Sequence, residues 1–105
     1  MDTLERLEQV IRDRRGASPD ESYVARLNSR GLPEIARKVG EEAVETAVAA
    51  ISYGEKEVIG EAADLLFHLL VLLDARGVPL AEVLAELDRR EGVSGLAEKA
   101  SRSEA

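Results

Sequence analysis

The stretch KVGEEAVETAVAAISYGEKEVIGEAADLLFHLLVLLD, residues 38–74, decides the fold. Its opening sets three glutamates, Glu41, Glu42 and Glu45, against a run of alanine, valine and isoleucine. On a helical wheel Lys38, Glu41, Glu42 and Glu45 share one face, and Val39, Ala43, Val44, Ala47, Val48 and Ile51 fill roughly the opposite half. Taken alone, the acidic face reads as solvated surface and the apolar arc as its packing side. Yet Ala49 and Ser52 continue the glutamate stripe as small uncharged residues, where a solvated stripe more often carries i,i+4 partners of opposite charge.

The second half of the stretch sharpens the question. In GEAADLLFHLLVLLD, residues 60–74, Glu61, Asp64 and His68 lie within about 60° of one another on a helix that is apolar on its other sides. A helix of that kind is buried, and carboxylates withdrawn from water cost several kcal/mol each unless neutralised. No lysine or arginine occurs from Val58 to Leu73, so compensation must come from another element or from a cation. The short Gly54-Glu55 turn makes the two helices antiparallel neighbours. The 15 residues between Glu45 and Glu61 allow the pairs Glu42/Glu45 and Glu61/Asp64 to stand at comparable heights above that turn. An all-oxygen set suits Mg²⁺ or Mn²⁺. A di-iron bundle wants Glu-x-x-His on its helices, whereas His68 follows Asp64 by four residues and Glu61 by seven.

Outward from this pair, the rest of the chain also reads as helix. Leu4, Leu7, Val10 and Ile11 predict an amphipathic helix over residues 2–15, ending near Gly16. Ser18-Pro19-Asp20-Glu21 reads as the start of a short second helix, which runs to about Ser29. Gly31 ends it, and Leu32-Pro33-Glu34 opens the acidic helix, which reaches Ile51 or Tyr53. The fourth helix runs from about Glu55 to Ala75, closed by Arg76 and a C′ glycine at Gly77. Pro79 opens a fifth that stops before Gly92. No segment alternates with a strand period, so the expected fold is all-α, a bundle of about five helices. Residues 1–105 read as one domain, with the tail 93–105 partly flexible.

Composition narrows the functional classes. With 45% hydrophobic residues but one Phe, two Tyr and no Trp, the core must be aliphatic. The formal net charge of -7 argues against nucleic acid as a partner. No cysteine is present, which removes disulfides, thiolate zinc sites and thiol nucleophiles, and fits a cytoplasmic location. The N-terminus lacks the apolar region of a secretory signal, and the apolar run Leu69–Leu73 is far short of the ~20 residues that span a bilayer.

The arrangement Glu41-Glu42-x-x-Glu45 followed by Glu61-x-x-Asp64 resembles the EExxE and ExxD signature of the MazG-like all-α nucleoside triphosphate pyrophosphohydrolases. Within that superfamily SYVARL (22–27), KVGEEAVE (38–45), GEAADLLFHLLVLL (60–73) and SGLAEKASR (94–102) resemble the phosphoribosyl-ATP pyrophosphatase family of histidine biosynthesis. Phe67 stands where a Tyr is common. The resemblance implies hydrolysis of 1-(5-phosphoribosyl)-ATP to 1-(5-phosphoribosyl)-AMP and pyrophosphate, a Mg²⁺ requirement that Mn²⁺ could meet, and a homodimer. It also implies functional association with a phosphoribosyl-AMP cyclohydrolase. Carried over residue by residue, the metal ligands are Glu42, Glu45, Glu61 and Asp64, and Glu41 is a further acid that helps hold a second ion or orient the attacking water. Catalysis is assigned to Glu41 and Glu45.

Lys38, on the acidic face, is the expected phosphate contact, or else a helix ion-pair partner of Glu41 or Glu42. Ser22 and Tyr23 are candidates for ribose, phosphate or base; Ser22 reads equally as a helix-local polar residue and Tyr23 as core. Arg26 and Arg37 are further phosphate candidates, or else surface residues, and Lys99 and Arg102 in the tail either reach a phosphate across a dimer interface or belong to a solvated tail. His68, one turn beyond Asp64, is expected to support a ligand through a hydrogen bond. Two other functions compete: hydrolysis of other nucleoside triphosphates in a house-cleaning role, and a non-catalytic helical dimer whose acids bind a structural ion.

Overall fold

A computed structural model describes residues 1–92 and 95–103, and the other tail positions lie outside the described residues. Every regular element of the described residues is a helix, without a strand: α1 (Thr3–Arg14), α2 (Tyr23–Arg30), α3 (Leu32–Ser52), α4 (Glu55–Ala75), α5 (Leu80–Arg90) and α6 (Gly95–Ser103). The expected all-α bundle is therefore found, with α6 added to the five helices read from sequence.

The local signals explain most boundaries. Asp2 caps α1 by accepting from the Glu5 amide at 2.8 Å. Gly77, at φ 70°, closes α4: its amide donates to Asp74 and the Val78 amide to Leu73, the paired bonds that need a left-handed residue after the helix. One boundary differs from expectation. Ser18 forms only an isolated turn, accepting from the Glu21 and Ser22 amides, and α2 begins at Tyr23. Ser22 is extended at φ -137° and its hydroxyl accepts from the Ala25 amide, so the true cap lies four residues later than the proline signature suggests.

α3 and α4 form an antiparallel hairpin across Gly54, the most extensive pairing in the molecule; α1 packs on α4 and α2 on α3. The core gathers Ile11, Val24, Leu27, Ile35, Leu70, Val71 and Leu80, with Leu4, Leu7, Phe67 and Leu84 packed around them. α5 is tied in from afar. Its first amide, that of Leu80, donates to the Glu8 carboxylate of α1 at 2.7 Å, which supplies the cap that Pro79 does not.

The orientation of α3 overturns one expectation. The residues it buries are Ile35, Glu42 and Ala49, a stripe repeating every seven positions through the middle of the acidic face. The apolar arc expected to pack inward points away instead, leaving Val44 63%, Val48 45% and Ile51 87% exposed. The physical reason is size. Ala49 and Thr46 let α4 come close along the glutamate stripe, and the core above it is already supplied by α1 and α2 with α4.

Candidate active site

The α3–α4 hairpin brings Glu42, Glu45 and Glu61 together, one carboxylate oxygen of each lying within 4.8 Å of the others. The spacing does this in two steps. Glu42 and Glu45, three residues apart, stack on adjacent turns of α3, and the antiparallel return carries Glu61 to the same level of α4. Glu42 is buried, Glu61 half-buried and Glu45 exposed, so the cluster opens to solvent on the Glu45 side. Beyond it runs an open groove of about 420 Å³ lined by Val44, Val48, Tyr53 and Glu57 together with Glu45 and Glu61.

Three carboxylates this close cannot all stay ionised without a counter-charge. Burial raises the Glu42 carboxyl above its ordinary value, helped by hydrogen bonding to Glu45 and by its charge, with opposition from His68 and Lys38. Burial likewise raises Glu61, then the hydrogen bond and charge of Glu45, then the charges of Glu42 and Asp64. One oxygen each of Glu42 and Glu61 is buried without a hydrogen-bond partner among the described residues. Hard oxygen donors, convergent, negatively charged and with buried oxygens left unpartnered, fit a divalent cation.

A raised carboxyl has a definite linkage sign. The folded chain binds protons more tightly than the unfolded chain, so Glu42 and Glu61 add stability as pH falls through their folded values toward the unfolded value of about 4.5. Glu34 and Glu41, both lowered chiefly by hydrogen bonds to basic neighbours, and Glu86, lowered to about 2 chiefly by its hydrogen bond to Arg89, work the other way. Subtracting a double variant, Glu42→Gln with Glu61→Gln, cancels these background groups. We expect the metal-free parent to gain on the variant in melting temperature as pH falls from 7.5 to 5. A difference independent of pH would contradict the assignment.

The other expected site residues divide. Lys38 reaches the cluster: its Nζ lies 3.1 Å from Glu41 and 3.6 Å from Glu42, so it pairs with both of its sequence-level alternatives. Glu41 stands outside the trio. Its carboxylate is held by Lys38 and by Arg37, whose guanidinium donates at 2.6 Å and clasps Glu34 on its other side. Those two cations lower the Glu41 carboxyl, Lys38 first. Asp64, one turn from Glu61, is exposed and lies outside the close trio, although its charge reaches Glu61.

His68 is 5% exposed and strung between two partners. Its Nδ1 lies 2.7 Å from the Asp64 carbonyl, which can only accept, so Nδ1 donates. In the neutral ring Nε2 then accepts from the Tyr23 hydroxyl at 2.8 Å. Tyr23 is no core residue: at 43% exposed it lies over His68 and Phe67. Ser22 serves as the α2 cap, its helix-local alternative, and Arg26 is exposed and donates to the Pro19 carbonyl. Lys99 and Arg102 are exposed on α6. Sequence reasoning passed over Thr46, whose hydroxyl touches the backbones of both α3 and α4. Its only sequence signal was a mid-helix threonine four residues after Glu42.

Comparison with known proteins identifies the family. Residues 4–91 match the family described as phosphoribosyl-ATP pyrophosphohydrolase. The chain is 65% identical over 104 residues to a phosphoribosyl-ATP pyrophosphatase of Erythrobacter litoralis, covering 99% of this chain and 100% of that protein. It is 64% identical over 100 residues to the one of Novosphingobium aromaticivorans, covering 95% and 94%. For Zymomonas mobilis the identity is 57% over 101 residues, covering 96% and 94%. The match spans α1 to α5 and takes in every residue of the carboxylate cluster, and on that ground the chain belongs to the phosphoribosyl-ATP pyrophosphohydrolase family.

Proposed function

We propose that this chain, read as one domain over residues 1–105, hydrolyses 1-(5-phosphoribosyl)-ATP to 1-(5-phosphoribosyl)-AMP and pyrophosphate in histidine biosynthesis. Mg²⁺ is the proposed ion, with Mn²⁺ able to replace it. The observation that carries the reading is the convergence of Glu42, Glu45 and Glu61, with buried unpartnered oxygens, in a member of this family. Glu42, Glu45 and Glu61 are proposed as ligands, joined by Asp64 through a side-chain rotation toward Glu61.

Charge explains the division of labour. A triphosphate is strongly anionic and an acidic cluster repels it, so the cation must reverse the local sign; it would also stabilise the leaving pyrophosphate and activate a water. Lys38, already at the cluster, meets the incoming phosphates by exchanging its carboxylate partners for phosphate oxygens. Glu45, the exposed member, orients the attacking water, and Glu41 with Arg37 stands ready at the rim. Tyr23 and Arg26 are proposed to meet the nucleoside, with Ser22 setting the start of their helix. His68 holds Tyr23 and the Asp64 backbone in place.

A homodimer belongs to the same reading. α3 and α4 leave Val44, Val48, Ile51, Ile59 and Leu66 exposed in the single chain, apolar side chains that a second copy would cover. The chain is also extended, its radius of gyration 15.8 Å against about 13 Å for a compact chain of this length. Among the described residues no helix is long and apolar enough to cross a membrane, and a cytoplasmic location is proposed with the pathway. A phosphoribosyl-AMP cyclohydrolase is the expected consumer of the product.

The decisive measurement is pyrophosphate release with Mg²⁺ from 1-(5-phosphoribosyl)-ATP against a panel of ordinary nucleoside triphosphates. Preference for the phosphoribosylated substrate is expected. Preference for a free triphosphate would transfer the chain to the house-cleaning reading, and no hydrolysis of any of them would favour a non-catalytic ion site.

A further inference from the structure

Thr46 follows Glu45 directly and lies one turn beyond Glu42, on the inner side of α3. Its hydroxyl oxygen is 2.7 Å from the Glu42 carbonyl and 3.1 Å from the Glu61 carbonyl. A hydroxyl has one proton, which it gives to either carbonyl or shares between them. The first contact is the back-bond usual for a helical threonine. The second crosses to α4, and both carbonyls belong to residues of the carboxylate trio.

From this placement we infer that Thr46 is a positioning residue, a hydroxyl pin that holds α3 and α4 in the register at which Glu42, Glu45 and Glu61 converge. The inference rests on the proposal that the trio holds a divalent cation. The need for such a pin follows from geometry. A small hard ion such as Mg²⁺ demands near-octahedral ligands at about 2.0–2.1 Å. Each residue of helix advances about 1.5 Å and turns about 100°, so a slip of α3 against α4 by a fraction of one residue moves Glu61 out of reach of an ion held by Glu42 and Glu45. The surfaces around the pin cannot supply the same definition. Ala49, the next buried residue of α3, is small and featureless, and the carboxylates repel one another across the gap. A hydrogen bond from one helix to the backbone of the other has a single preferred axial offset, which apolar contact lacks.

The pin acts through ligands rather than on substrate. It is thus read out by metal affinity in the absence of nucleotide. We would titrate the full chain with Mn²⁺ alone, following free Mn²⁺ by electron paramagnetic resonance, in the parent, Thr46→Val and Thr46→Ser, well below each melting temperature. Loss of supporting contacts around metal ligands typically costs 10–100-fold in affinity, so Thr46→Val should weaken Mn²⁺ binding by about 10-fold or more while Thr46→Ser stays within a few-fold of the parent. Thr46→Ala lacks the hydroxyl and adds no bulk; it reports in the same way where the valine variant does not fold.

Equal Mn²⁺ affinity in parent and Thr46→Val would overturn the inference, even with a lowered melting temperature, because the role would then be packing alone. So would a Thr46→Ser variant as weak as Thr46→Val, which would transfer the effect to the methyl group. A parent that binds no Mn²⁺ would overturn the metal reading itself, and the pin with it; the parent titration separates that failure from the others.

Discussion

Replacing Glu42 by glutamine is expected to lower kcat/KM for pyrophosphate release by about 10³-fold or more, while raising the melting temperature of the metal-free protein. A bound divalent cation stabilises several kcal/mol of developing charge, and each 1.36 kcal/mol is about tenfold in rate. The amide keeps the shape of the side chain but removes one anionic ligand from the least exposed position of the trio, 6% exposed. It also removes a partner 3.6 Å from Lys38, freeing that cation early. The gain in stability has the opposite origin. Burial and the nearby Glu45 charge work against the ionised Glu42, and an amide placed there is neutral and donates hydrogen bonds to Glu45. Activity and stability thus move in opposite directions, which a fold defect would not produce. Activity above a tenth of the parent's, or a fall in melting temperature, would refute the assignment.

Val48→Asp is expected to convert the proposed dimer to monomer, weakening association by about 10²-fold or more, since leaving a charge buried and unpaired in an interface costs about 3–5 kcal/mol. Val48 lies on α3 between Val44 and Ile51, all of them exposed in the single chain, and borders the open groove beside Glu45 and Glu61, so a monomer gives the new aspartate no reason to unfold. Sedimentation analysis at micromolar concentration reads the outcome. Leu87, equally apolar and 57% exposed but on α5, is the control: Leu87→Asp should remain dimeric. A dimeric Val48→Asp protein would mean that the Val44–Val48–Ile51 side of α3 is not the interface.

Much of the site could be read from the chain because its parts are local. Glu42 and Glu45 share a helix face by spacing alone, and the short connection at Gly54 forces α4 back alongside α3, which puts Glu61 opposite them. The glycines at 31 and 77 and the proline at 33 marked their helix ends because the backbone conformation each permits or forbids is a property of the single residue. Ser18-Pro19-Asp20-Glu21 misled because a good local start signal was followed four residues later by another, Ser22, and only packing chose between them: Val24 and Leu27 are drawn into the core from a helix begun at Tyr23.

Helix class, order and the acidic pairing were thus determined by sequence alone, through periodicities and turn chemistry that act within a few residues. The rotation of α3 was decided only by tertiary structure. Hydrophobicity placed Val44, Val48 and Ile51 inward, and the folded chain turns Glu42 inward in their stead. Periodicity tells which residues share a face but not which neighbour that face meets, and here the small residues at 46 and 49 admit α4 while the apolar arc is left for contact beyond the single chain. The Thr46 bridge from α3 to α4 depends on that rotation, and the Tyr23–His68 hydrogen bond likewise joins two helices, α2 and α4. Distances of that kind are set by how several helices settle against one another, and no spacing along one helix encodes them.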